Sequence, residues 1–68
     1  MGNDFAERLR DLRMAKGLSG EELGKAIGVS SSSVYFWENG TNDVKGKYLK
    51  QLAKYFGVSA DYLLGLTD

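Results

Sequence analysis

Apolar residues return at helical spacing in short runs, and nearly every run ends at a glycine. Phe5, Leu9 and Leu12 stand at i, i+4 and i+7, with Gly17 beyond them. Leu23, Ala26 and Ile27 share one helical face, and Gly28 follows. Val34 and Trp37 make the next face, ahead of Asn39-Gly40. Leu49, Leu52, Ala53 and Phe56 repeat the pattern at i, i+3, i+4 and i+7 and run into Gly57. Such spacing marks the buried stripe of an amphipathic helix. Glycine closes helices readily because it enters the left-handed conformation without a Cβ penalty. The chain contains no proline, so caps and glycines must set every helix end. No stretch alternates with period two for long, so strands are not expected. These patterns predict an all-α fold of five short helices.

Serines supply the starts. Ser19 is a candidate N-cap, and Glu22 three residues later completes a capping box. Ser30 and Ser59 are the next caps, and Tyr62, Leu63 and Leu64 follow Ser59. The predicted helices run over about 4–16, from the Ser19 cap to about 27, over about 31–38, over about 45–56, and in one short turn after Ser59. The triplet Gly-Val-Ser occurs at 28–30 and 57–59, closing one helix and capping the next. Leu9, Leu12, Leu23, Ile27, Val34, Leu49, Leu52, Phe56 and Leu63 are expected to form one cluster.

Composition narrows function. A chain of 68 residues is expected to be one domain, 1–68, burying only about 60% of its unfolded surface. There are no cysteines and no histidines, so disulfides, thiolate metal sites and the commonest general base are excluded. Glu21 and Glu22 are adjacent acids without a His or metal cluster, and no phosphate-binding glycine pattern occurs. No catalysis, cofactor, metal or small-molecule substrate is expected. No apolar run approaches a membrane span, and the first residues lack a signal-peptide core, so a cytoplasmic location is expected. Nine basic residues balance nine acidic ones. The charges are segregated, however. Residues 45–56 hold four lysines and no acid, and a neutral protein can still carry a basic face.

The second and third helices are joined by Gly28-Val29-Ser30, the layout of a helix-turn-helix. The stretch RLRDLRMAKGLSGEELGKAIGVSSSSVYFWENG resembles the helix-turn-helix family of phage repressors and Cro proteins. Leu9, Leu12, Arg13, Gly17, Leu18, Ser19, Glu22, Leu23, Ile27, Gly28, Val29, Ser30, Val34, Trp37, Glu38 and Gly40 carry the likeness. LKQLAKYFGVSADYLLG continues it through the fourth and fifth helices. The resemblance implies a five-helix, lambda-repressor-like bundle that binds double-stranded DNA as a transcriptional regulator of phage or prophage type. It also implies a homodimer on a palindromic operator, with the third helix in the major groove.

Several positions depart from the family pattern. Gly20 stands where a Gln usually holds phosphate, leaving only a backbone N–H. The third helix lacks the usual Arg, Lys or Gln among its exposed positions and presents Ser31, Ser32, Tyr35 and Phe36 instead. Val44 replaces a common Pro, and Gly46 replaces a groove-reading Arg. Asn39 and Asn42 match loop asparagines of lambda-type repressors that contact phosphate and base.

On a helical wheel Ser31, Ser32, Tyr35 and Phe36 fall opposite Val34, Trp37 and Glu38. The first set has three readings: a groove-facing surface, ordinary exposed apolar area, or a protein-contact patch. As a groove surface, Ser31, Ser32, Tyr35, Phe36 and Asn42 would reach base edges. Arg10, Lys16, Gly20, Asn39 and Lys45 are the phosphate candidates. Lys47, Lys50 and Lys54, within about 60° of one another, read equally as a solvated face or as backbone contacts. Glu38 lies on the core side and needs a partner, and the family pairs its position with that of Arg13. The rival reading is a helix-turn-helix domain acting mainly on proteins, as an antirepressor or antitoxin-like regulator does.

Overall fold

The computed structural model of the protein describes residues 4–40 and 44–67. Helix α1 spans Asp4–Ala15, α2 Gly20–Ile27, α3 Ser31–Glu38, α4 Gly46–Phe56 and α5 Ala60–Leu63. Among the described residues there is no strand.

Local chemistry explains the boundaries. Ser19 Oγ accepts the Glu22 N–H at 3.0 Å, and Glu22 Oε1 accepts the Ser19 N–H at 2.8 Å. Two donors that a helix start leaves open are satisfied reciprocally. Ser30 Oγ accepts from Ser33 N–H at 3.3 Å, and Ser59 Oγ from Tyr62 N–H at 3.0 Å. Gly28 at φ +89° and Gly57 at φ +69° close α2 and α4 in the left-handed region. Two ends shift by one residue from the sequence expectation. Lys16 lies just past α1, its N–H shared between the Leu12 and Arg13 carbonyls. Lys45 is the N-cap of α4 rather than its first residue, and it makes no side-chain cap. An ammonium has no acceptor to offer the N–H groups there.

Phe5, Leu9, Leu23, Ile27, Val34, Trp37, Leu52, Ala53 and Leu63 form one buried cluster. Leu12, Leu49 and Phe56, expected within it, are half-buried and pack against it. Ala26, expected on the buried face of α2, is exposed. An eight-residue helix buries a narrow stripe, and here Leu23 and Ile27, one turn apart, define it. Val44 and Tyr48 seat the start of α4 against the core, and the Tyr48 ring lies 5.8 Å from that of Trp37 on α3.

Helix α1 is tied to α5 and the residues just after it. Arg8 Nη1 donates to the Tyr62 carbonyl at 2.7 Å and also to the Thr67 carbonyl. The Arg8 guanidinium stands 4.4 Å from the Tyr62 ring centroid, a cation–π contact. The described residues measure 27 × 24 × 22 Å. Among them no helix is long and apolar enough to cross a membrane.

Candidate nucleic-acid interface

The turn between α2 and α3 is tight because Gly24 lets it be. The Gly24 carbonyl accepts from both Gly28 N–H and Val29 N–H at 2.8 Å. A Cβ at Gly24 would stand 2.6 Å from the Val29 carbonyl oxygen. The missing side chain therefore lets the turn fold back onto the helix it leaves. Sequence reasoning passed over Gly24. The available signal was a glycine inside a helix, which often marks a close backbone approach.

This packing buries Val34 and Trp37 and turns the other side of α3 outward. Ser31 and Ser32 are exposed, Tyr35 is 63% exposed and Phe36 39%. The two rings meet edge to face at 5.8 Å between centroids. Gly20, Glu21, Ser31, Ser32, Tyr35 and Phe36 surround an open depression of about 480 Å³, with Arg13, Val34 and Glu38 also lining it. Two helix N-termini therefore open onto one surface. The caps use the N–H groups of Glu22, Leu23, Ser33 and Val34. Among the described residues the N–H groups of Gly20, Glu21, Ser31 and Ser32 have no hydrogen-bond partner. Unpaired N–H donors at the positive ends of helix dipoles suit an anion such as phosphate.

Arg13 and Glu38 brace this surface from beneath. Arg13 Nε bonds Glu38 Oε2 at 2.7 Å and Arg13 Nη2 bonds Glu38 Oε1 at 2.9 Å, a bidentate pair between α1 and α3. Arg13 Nη1 donates to the Leu18 carbonyl at 2.8 Å. The side chains are 19% and 10% exposed. Hydrogen bonding to Glu38 raises the Arg13 pKa above its ordinary value, against a smaller opposing effect of burial.

The remaining sequence candidates are spread out. Asn39 is the C-cap of α3, and its Nδ2 donates to the Tyr35 carbonyl at 2.7 Å. Lys45 is exposed at the start of α4, where its backbone is extended. Arg10 is exposed on α1 and does not line the depression. Lys16 is also elsewhere, its Nζ 5.1 Å from the Tyr55 ring centroid. Asn42 lies outside the described residues.

Comparison with known proteins converges on one family. The helix-turn-helix family model matches residues 9–63. An uncharacterized helix-turn-helix-type transcriptional regulator of Bacillus subtilis, YobD, is 41% identical over 64 residues, covering 94% of this chain and 57% of that protein. The cryptic phage CTXphi transcriptional repressor RstR of Vibrio cholerae is 37% identical over 54 residues, covering 79% of this chain and 49% of the repressor. The chain thus spans about half the length of these curated relatives. A crystal structure of the P22 c2 repressor in complex with a synthetic operator matches with a TM-score of 0.84 and 35% identity, over 88% of this chain and 91% of that one. With a family match running from within α1 to the end of α5 and a phage repressor fold that superposes nearly whole, the chain belongs to the helix-turn-helix family.

Proposed function

We propose that this chain binds double-stranded DNA sequence-specifically and regulates transcription in the cytoplasm, as a repressor of phage or prophage type. One observation carries the reading. The outward face of α3 and the open N–H groups of two helix starts share a single surface. Base edges require side chains that stand in the groove, and phosphates require donors at its rim. Ser31, Ser32, Tyr35 and Phe36 are the groove-facing set, with serines bonding base edges and aromatic edges meeting thymine methyls. Asn42 adds a base contact from the following loop. Gly20, Asn39 and Lys45 hold phosphates, and Arg10 and Lys16 take more distant ones. The likeness to an operator-bound repressor supports double-stranded DNA as the partner, and a homodimer on a palindromic operator completes the proposal.

Selection of bound sequences from random duplex DNA at moderate salt tests the proposal. A palindromic consensus is the expected product. No enrichment over repeated rounds would overturn it.

A further inference from the structure

Net charge is zero, yet charges of opposite sign stand in rows on two different helices. On α1 the acids Asp4, Glu7 and Asp11 are spaced three and four residues apart and are all exposed. At about 100° per residue they fall within about 60° of one another. On α4 Lys47, Lys50 and Lys54 have the same spacing, the same phase and the same exposure. Each row runs for about 10 Å along its helix. The two rows are therefore equal in pitch and opposite in charge.

Neither row is neutralised within one copy. Among the described residues none of these six side chains has an oppositely charged group within salt-bridge distance. Lys47, Lys50 and Lys54 line, with Gln51, an open depression of about 590 Å³ that no acid borders, and residues 44–60 contain no acid. The other cations of α1 leave its acids free. Arg8 donates to the Tyr62 and Thr67 carbonyls, and Arg13 is engaged by Glu38. Arg10 stands at the edge of the row, about 60° beyond Glu7. Helix α1 packs on α3 and α5, whereas α4 packs on α2 and α5, and the two rows do not meet.

We infer that the Lys47–Lys50–Lys54 row of α4 docks on the Asp4–Glu7–Asp11 row of α1 in a second copy of this chain. The occupant follows from charge complementarity: common pitch and opposite sign bring three ammonium groups to three carboxylates in one register. Met14 is 62% exposed and continues the acid row three residues past Asp11, where it offers an apolar seat to a lysine stem. Exposed ion pairs are individually weak, so three in register make a reversible, salt-sensitive contact. It joins unlike faces, and is thus additional to the self-matching patch at the axis of a two-fold dimer. It does not depend on DNA binding.

The chain has no cysteine, so Gln51→Cys gives a single attachment point for a nitroxide beside the lysine row. This labelled protein is mixed with isotope-labelled wild-type chain, without DNA and at low ionic strength, and the amide signals of the wild-type copy are read by NMR. Positions 7 and 11 should lose signal, while Tyr35 and Phe36 keep theirs. Raising salt to about 1 M, where the Debye length is about 3 Å, should restore the lost signal. Adding Lys47→Gln/Lys50→Gln/Lys54→Gln to the nitroxide copy should abolish the loss, and so should Glu7→Gln/Asp11→Asn in the isotope-labelled copy. Lys25→Gln, on α2 and off both rows, should leave it unchanged. Undisturbed amide spectra of the two multiple variants guard against misfolding. No loss of α1 signal at low salt overturns the inference, and so does a loss that persists at high salt or in either multiple variant. Loss confined to α5 overturns it by assigning self-association to another face. If α1 shows no loss and a polyglutamate peptide shifts the α4 amides, the inference falls in favour of an acidic protein. A random duplex with that effect overturns it in favour of nucleic acid.

Discussion

At the scale of single residues the Arg13–Glu38 pair is the sharpest case. Each side chain is mostly buried and fully engaged, so removing one leaves the other desolvated without a partner. Arg13→Ala or Glu38→Ala should each cost about 1–3 kcal/mol in chemical denaturation, and the double variant should recover part of the loss. Strictly additive losses would contradict the geometry. The meeting of these two residues was legible beforehand, because a carboxylate on a core-side helical position needs a partner and the family resemblance pairs its position with that of Arg13. The third bond, from Arg13 to the Leu18 carbonyl, was not legible, because it depends on how the chain turns after α1. Glu22 offers a second residue-scale prediction. Its carboxylate accepts the Ser19 backbone N–H and holds its pKa below the ordinary value. A depressed native pKa means the unfolded state binds protons more readily, so the contribution is fully present above the ordinary carboxylate pKa. It is lost as pH falls through the lowered native value. A carboxyl titration by NMR should place Glu22 below the ordinary glutamate range, and Ser19→Ala, which removes the hydroxyl but keeps the backbone N–H, should move it only part of the way back. A wild-type Glu22 titrating at the ordinary glutamate value would show that the capping box does not form.

At the scale of elements stability rests on shared burial. Leu52 is fully buried on α4, in the cluster that joins the helices. Leu52→Ala should cost about 2–5 kcal/mol, a large share of a small domain's stability. A melting temperature equal to that of wild type would mean that α4 does not pack through this residue. Helix starts and stops were readable because their signals are local: a serine with a glutamate three residues on, or a glycine after an apolar stripe. Depth within the core was less readable. Periodicity identifies which face is buried, but not which residue on it lies nearest the other helices, so Leu12, Leu49 and Phe56 moved to the margin while Phe5, Trp37 and Ala53 moved in. The Arg8 tie was invisible for a related reason. Its carbonyl partners lie 54 and 59 positions away, and no local pattern encodes that separation. Arg8→Ala should loosen α5 first, seen as faster amide exchange of Leu63 and Leu64 with little change in α2 and α3. Uniform acceleration throughout would assign Arg8 to global stability instead.

At the scale of the whole molecule, net neutrality hides a division of labour. On the proposed function, the α3 face with its hydroxyls and aromatic edges discriminates sequence, and the lysines sit elsewhere. The two groups should fail differently. Lys45→Gln should weaken binding to all duplexes alike and flatten the salt dependence by about one unit of slope. Equal loss of sequence preference in that variant would mean that Lys45 reads bases. The surface was legible as a helical phase, and its exposure required the fold: only the close α2–α3 turn at Gly24 turns Tyr35 and Phe36 outward. The most direct measurement is equilibrium binding of wild type and Tyr35→Ala/Phe36→Ala to the selected operator and to a scrambled duplex of equal length. Loss of base-reading contacts should cost about 1–3 kcal/mol per contact on the operator and little on the scrambled duplex. Operator binding unchanged in the double variant would contradict the assignment of α3 as the reading surface.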